Sequence, residues 1–364
     1  MKVTEVTKWI EEFAAPQLQE SYDNAGLLLG EPDTEVKAVL VTIDITEAVV
    51  DEAIAYGCNL IISHHPLIFK GLKRITGKNE QERCVIKCIR HHIAVYAAHT
   101  NIDNVKNGVS GRMADLLELT NTKVLKPVEN VLLKLVTYVP KLHAYRVRES
   151  LFNAGAGQIG NYDSCSFNVE GTGTFKAGPE TNPFVGKIGE LHSEPEIRIE
   201  VVLPVYLKNR ILAELLNNHP YEEPAYDFFE LKNDWSEAGA GIVGQLPSEV
   251  DETEFLLKLK DIFNLKYLRH TELCGRKIRK VALCGGSGSF LLSDAIAAGA
   301  DVYISGDFKY HEFFDAENKI LIADIGHFES EQFTKHIFYE IITKKMPKFA
   351  VRISEIKTNP INYL

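Results

Sequence analysis

The stretch Leu60-Ile61-Ile62-Ser63-His64-His65-Pro66 decides the fold, because an apolar run stops abruptly at two adjacent histidines. The run fits a buried strand, and α/β folds collect their chemistry at strand ends. His64 and His65 therefore stand where a metal site would be built. Alone, such a pair reads equally well as one loop-capping ring and one satisfied core ring. Two further stretches repeat the pattern: Ala97-Ala98-His99-Thr100-Asn101-Ile102-Asp103 and Ile325-Gly326-His327-Phe328-Glu329-Ser330-Glu331. Three strand ends thus offer nitrogen and oxygen ligands.

Outward from these stretches, strand and helix patterns alternate. An amphipathic helix over 3–13, opened by Thr4, precedes a turn and strand over 21–30 and a strand over 37–44, after which Thr46 opens a helix. A helix over 80–90, a strand over 93–98 and a helix over 109–117 follow. Such alternation predicts βαβ units in a largely parallel sheet. Near Lys126-Pro127 the character changes. A strand over 131–139, a helix over 142–154 and a strand through Val169 are echoed by a strand over 197–203, a helix over 206–217 and a strand through Leu231. Two β-α-β copies make a ferredoxin-like unit, with 171–190 as its inter-repeat hairpin or loop. After Gly239-Ala240-Gly241 the alternation resumes, through strands over 280–284, 302–304 and 320–323, to a final helix over 330–344. The expected fold is α/β, with a split core of two βα-rich halves, 1–127 and 239–364, around an inserted ferredoxin-like domain, 128–238.

A chain of 364 residues is long enough for two domains, since single cores rarely outgrow about 250–300 residues. No uncharged apolar run approaches the roughly 18 residues of a membrane span, and the first helix, with Glu5, Glu11 and Glu12, is no signal peptide. The expected location is the cytoplasm, without a membrane partner. A net charge of -10 argues against nucleic acid as a partner. The six cysteines are scattered; Cys84 and Cys88 share a helix face, where core packing is favoured over metal or disulfide.

His327 and Glu331, four apart on a helix, can aim at one point. With His64, His65 and Asp103 they make three imidazoles and two carboxylates, more than one tetrahedral ion with an open position needs. Two divalent ions per chain are the natural count, with Asp103 as a bridge for metal-assisted hydrolysis. Zinc leads among the ions that suit mixed ligands, with manganese, iron and cobalt also admissible. His99 and His311 are the candidate catalytic residues, His99 facing substrate and His311 beside Ser305-Gly306-Asp307 as a proton donor. Gly285-Gly286-Ser287-Gly288 reads either as backbone N–H groups for a phosphate or as a turn glycine-rich for close packing.

Tyr22-Asp23-Asn24-Ala25-Gly26-Leu27, Ser63-His64-His65-Pro66, His99-Thr100-Asn101-Ile102-Asp103, Gly285-Gly286-Ser287-Gly288, Ser305-Gly306-Asp307 and Gly326-His327 with Glu331 form an ordered set across both core halves. In this set the sequence resembles the Nif-three-like family, catalogued as GTP cyclohydrolase I type 2 homologues, in its long bacterial form. The resemblance implies dinuclear metal ligands at His64, His65, Asp103, His327 and Glu331. It implies a PII- or CutA-like insert, with His219-Pro220-Tyr221-Glu222-Glu223-Pro224 at the matching turn, and a ring-shaped homohexamer. The activity implied is metal-dependent hydrolysis of a small-molecule substrate, a nucleotide or related heterocycle, although the sequence shows no triphosphate clamp. The rival expectation is a metal-binding chaperone or adaptor whose insert recruits a partner.

Overall fold

The strand that ends in the histidine pair, Leu60–Ser63, lies at the centre of a five-stranded sheet. Its order is Gly26–Leu29, Ala94–Ala97, Leu60–Ser63, Val39–Thr42, Val351–Ile353. The last four run parallel and the first is an antiparallel edge. Leu60 and Ile62 pack toward the helices Val3–Phe13 and Thr334–Lys345, whereas Ile61 packs toward Glu47–Ala55 and Glu80–Arg90. Cover on both faces is why these strands are unbroken apolar runs rather than alternating ones. Cys84 and Cys88 are free thiols inside the second of these cores, where burial pushes them up to about 11 and about 12. Thr46 and Asn79 cap their helices, but the first helix is opened by Lys2, not Thr4, with the Glu5 carboxylate accepting from the Lys2 N–H.

A second sheet of six strands has the order Arg269–His270, Leu321–Asp324, Val302–Gly306, Ile278–Ser287, Trp235–Val250, Thr120–Val128. Leu321–Asp324, Val302–Gly306 and Ile278–Ser287 pair in parallel, whereas Arg269–His270 is antiparallel to Leu321–Asp324 and Trp235–Val250 is antiparallel to Ile278–Ser287. The expectation of largely parallel sheets therefore fails for this half. Gly239-Ala240-Gly241, after which the alternation was expected to resume, lies inside the strand Trp235–Val250. A Cβ at Gly239 would stand 2.2 Å from Lys126 O, and one at Gly241 2.9 Å from Leu283 O, so the glycines permit close backbone approach. Nor is the core split cleanly. Thr120–Val128, before the insert, completes the second sheet, and Val351–Ile353, near the chain end, completes the first.

The computed structural model describes residues 1–364, which divide into two compact units, 1–127 with 237–364 and 128–236. The second division thus falls two residues before the expected one. In the 128–236 unit four antiparallel strands take the order Phe167–Lys176, Leu191–Pro204, Leu132–Pro140, Tyr226–Leu231. Helices Ala144–Asn153 and Lys208–Asn218 cover one face, against Leu133, Leu135, Ile199, Val201 and Leu203. Of the segment 171–190, expected as a hairpin or loop, residues 171–176 belong to the first of these strands and pair antiparallel with 191–196, which makes it a hairpin. No helix of the chain is long and apolar enough to cross a membrane.

Candidate metal centre

Every strand in question ends just before a donor. Leu60–Ser63 delivers His64 and His65, Ala94–Ala97 leads to His99 and the short helix Thr100–Asp103, and Leu321–Asp324 leads through Gly326 to the helix His327–Glu331. His327 and Glu331 therefore occupy one turn of their own, separate from the long helix Thr334–Lys345. The donor atoms fall into three overlapping groups, each within 4.8 Å: His64, His65 and His99; His65, His327 and Glu331; His64, Asp103 and Glu331.

Glu331 is the hub. Its Oε2 lies 3.0 Å from His65 Nε2, 3.1 Å from His327 Nε2 and 3.5 Å from His64 Nε2. Asp103 Oδ1 stands 3.7 Å from His64 Nε2. All four rings are held from behind. His64 Nδ1 donates to Ala98 O at 3.0 Å, and the Nδ1 atoms of His65, His99 and His327 each meet a carboxylate at 2.7 Å, from Asp44, Asp23 and Asp307. An N–H used at Nδ1 leaves an Nε2 lone pair on the opposite side of the ring, which is how ligating histidines are oriented. His64 Nε2, Asp103 Oδ1 and Glu331 Oε2 are buried without a well-aligned hydrogen bond, although Glu331 Oε2 lies within ion-pair distance of His65 and His327. Orphaned polar atoms at this depth cost free energy unless something else satisfies them. A divalent cation fits that set of acceptors, and a further hydrogen-bond donor does not account for all three.

The electrostatics agree. Burial alone would lower His65 and His327, but Asp44 and Glu331 push His65 up to about 10, and Asp307 and Glu331 push His327 up to about 11. Burial would raise Glu331, yet the surrounding imidazoles hold it well below the usual carboxylate range. Asp103 goes the other way, up to about 6, because burial and the Glu331 charge outweigh His64. Protons and a divalent ion would compete for the same Nε2 positions, so metal uptake would release protons.

His99 joins the cluster, its ring centroid 5.4 Å from those of both His64 and His65. His311 does not. It is exposed on the short helix Tyr310–Ala316, against Tyr310 and Phe314. The residues that sequence reasoning missed are the three orienting aspartates, all of which lie inside stretches already singled out there. Asp23-Asn24 had read as turn chemistry; in fact Asp23 also accepts from the Thr100 N–H and hydroxyl. The glycine turn resolves toward packing. The Gly285 and Gly286 N–H groups donate to Ser110 and Ser330 hydroxyls, and a Cβ on Gly286 would stand 2.2 Å from Glu331 Oε1.

The sequence pattern of the family described as Duf34/NIF3 (NGG1p interacting factor 3) matches residues 1–360. A protein named GTP cyclohydrolase 1 type 2 homolog from Halalkalibacterium halodurans is 39% identical over 364 residues, covering 99% of this chain and 98% of its own. The namesake from Bacillus subtilis is also 39% identical, over 370 residues, with the same coverage. Among solved structures, a Bacillus cereus protein related to NIF3 superposes with a TM-score of 0.87 at 37% identity, covering 100% of this chain and 99% of its own. With the histidine and carboxylate stretches falling inside a match of this extent, the chain belongs to the Duf34/NIF3 family.

Proposed function

We propose that the protein is a metal-dependent hydrolase acting on a nucleotide or related heterocycle, with two divalent ions held by His64, His65, Asp103, His327 and Glu331. The observation that carries this reading is the convergence of three buried, unbonded acceptors, His64 Nε2, Asp103 Oδ1 and Glu331 Oε2. The names of the relatives, GTP cyclohydrolase 1 type 2 homolog, support the substrate class. When bound, divalent ions supply Lewis acidity and lower the pKa of water at neutral pH. The chain's own residues do the rest. Asp44, Asp307 and the Ala98 carbonyl fix the tautomer and angle of three rings, while Asp103 and Glu331 provide the compensating negative charge. His99, anchored by Asp23 and outside the five ligands, is assigned the proton for the departing group. His311, exposed on its helix, is given no step.

On the same reading, 128–236 is a ferredoxin-like insert of the PII or CutA kind, supported by its β-α-β-β-α-β order, and the chain assembles as a homohexamer in the cytoplasm. The test joins metal analysis to a screen of nucleotide pools for consumption. Asp103→Ala should lose both metal and turnover. His99→Ala should keep its metal and lose about 10²- to 10⁴-fold in turnover. Two ions per chain retained in Asp103→Ala would overturn the ligand set. Full metal with no substrate consumed would favour the chaperone or adaptor reading.

A further inference from the structure

The 128–236 unit carries a cleft of about 600 Å³ on the sheet face opposite its helices. That volume falls within the range of small-molecule sites, roughly 300–1,000 Å³. Period-two alternation explains its origin. Ile197, Ile199 and Val201 point to the helices, so Glu196 and Arg198 point to the open face, where their strand partners are Gly171 and Val169. Gly171 and Gly173 carry no side chains at positions that would otherwise fill this face. A Cβ on Gly173 would stand 2.1 Å from Glu196 Oε2, and one on Gly171 would meet nothing within 4 Å. Glycine in a strand interior weakens the strand and marks a close approach or a ligand.

Glu196 is only 9% exposed, and the hydroxyl of Tyr221 donates to its Oε1 at 2.7 Å. Tyr221 is fixed in turn: its N–H donates to His219 Nδ1, while His219 Nε2 donates to Tyr138 O. Burial and the hydrogen bond to Glu196 push the Tyr221 phenol up, so it remains a donor. Phe175 and Phe184 stand 6.0 and 6.4 Å from the Tyr221 ring, and Tyr138 also lines the cleft. Four glutamates line it against one lysine and one arginine, which disfavours anions. A buried carboxylate among aromatic faces suits a cation that can both donate a hydrogen bond and lie over a ring.

We propose that this cleft is a binding site for a small organic cation bearing N–H donors, with Glu196 as its floor and Tyr138, Phe175, Phe184 and Tyr221 as its walls. The cleft shares no residue with the candidate metal centre. The experiment titrates the full-length protein with benzamidine by calorimetry, with benzoate as the matched anion. Benzamidine should bind saturably and benzoate should not. Glu196→Gln should weaken benzamidine by about tenfold or more, since it removes the charge from the hydrogen bond. Gly171→Leu, which places an apolar side chain in open space and removes no charge, should abolish binding while leaving metal content and circular dichroism unchanged. If Glu196→Gln fails to fold, Gly171→Leu decides. Absence of saturable benzamidine binding, equal binding of benzoate, or wild-type affinity in a folded variant would each overturn the proposal.

Discussion

The metal centre and the cleft are each built around a buried glutamate, and the two are held in opposite ways. Glu331 lies on a single helical turn past a strand end, with three imidazole nitrogens within 3.5 Å of one oxygen. Glu196 lies within a strand, with one phenol on its carboxylate and glycines beside it. Donors gathered from several strand ends can all be braced from behind, so charge density is high and geometry is shared among many residues. A site on a strand face has few neighbours, and its room comes from side chains that are missing. Glycine therefore plays different parts in the two places: at Gly286 it lets a carboxylate approach, and at Gly171 it leaves a space.

That difference supplies the largest expected effect. Gly286 has a φ of +65° and its Cβ would collide with the Glu331 carboxylate. Gly286→Ala should cost about 1–3 kcal/mol in unfolding free energy from the backbone alone. It should also displace Glu331 and lower metal content. Gly171→Ala should stay within about 0.5 kcal/mol of the parent. Denaturation curves and metal analysis on both variants check this. Equal stability of the two would mean that the glycines of the metal centre are no more constrained than those of the cleft.

Next in size come the bracing aspartates. Asp307→Asn keeps the shape of the group behind His327 and removes its charge, so metal affinity should fall about 10- to 100-fold with the fold retained. Competition against a chelator measures the change. An unchanged affinity would reduce Asp307 to a surface acid, and the centre would then depend as little on its supporting residues as the cleft does.

The convergence of His64, His65, Asp103, His327 and Glu331 in a candidate metal centre was legible because histidine and carboxylate at the end of an apolar run are unusual and repeat three times. Their braces were not, since Asp44 meets His65 across 21 residues, Asp307 meets His327 across 20, and Asp23 meets His99 across 76. Only the folded chain brings them together. Strands buried on both faces were readable as apolar runs, whereas Trp235–Val250 was hidden by the glycines that let it approach its neighbours. The cleft was invisible for the same reason: glycines at 171 and 173 left a hairpin and a loop equally open, and only the strand's continuation to Lys176 places them on a sheet face.

The smallest expected effect lies at the chain end. The Thr358 hydroxyl donates to Asp44 Oδ2, while Asp44 Oδ1 meets His65 Nδ1. Burial would raise the Asp44 carboxyl, but His65 and Thr358 together hold it below its ordinary value. A residue of the tail thus braces the brace. Thr358→Val removes one hydrogen bond and leaves the aspartate and its contact with His65 in place, so it should cost about 0.5–1.5 kcal/mol of stability. Metal affinity should fall by less than in Asp44→Asn, because the charge beside His65 survives. Both variants are compared by chelator competition. If Thr358→Val loses as much metal affinity as Asp44→Asn, the tail rather than the carboxylate's charge sets the angle of His65. The last residues of the chain would then belong to the metal centre as firmly as the strand that carries the histidine pair.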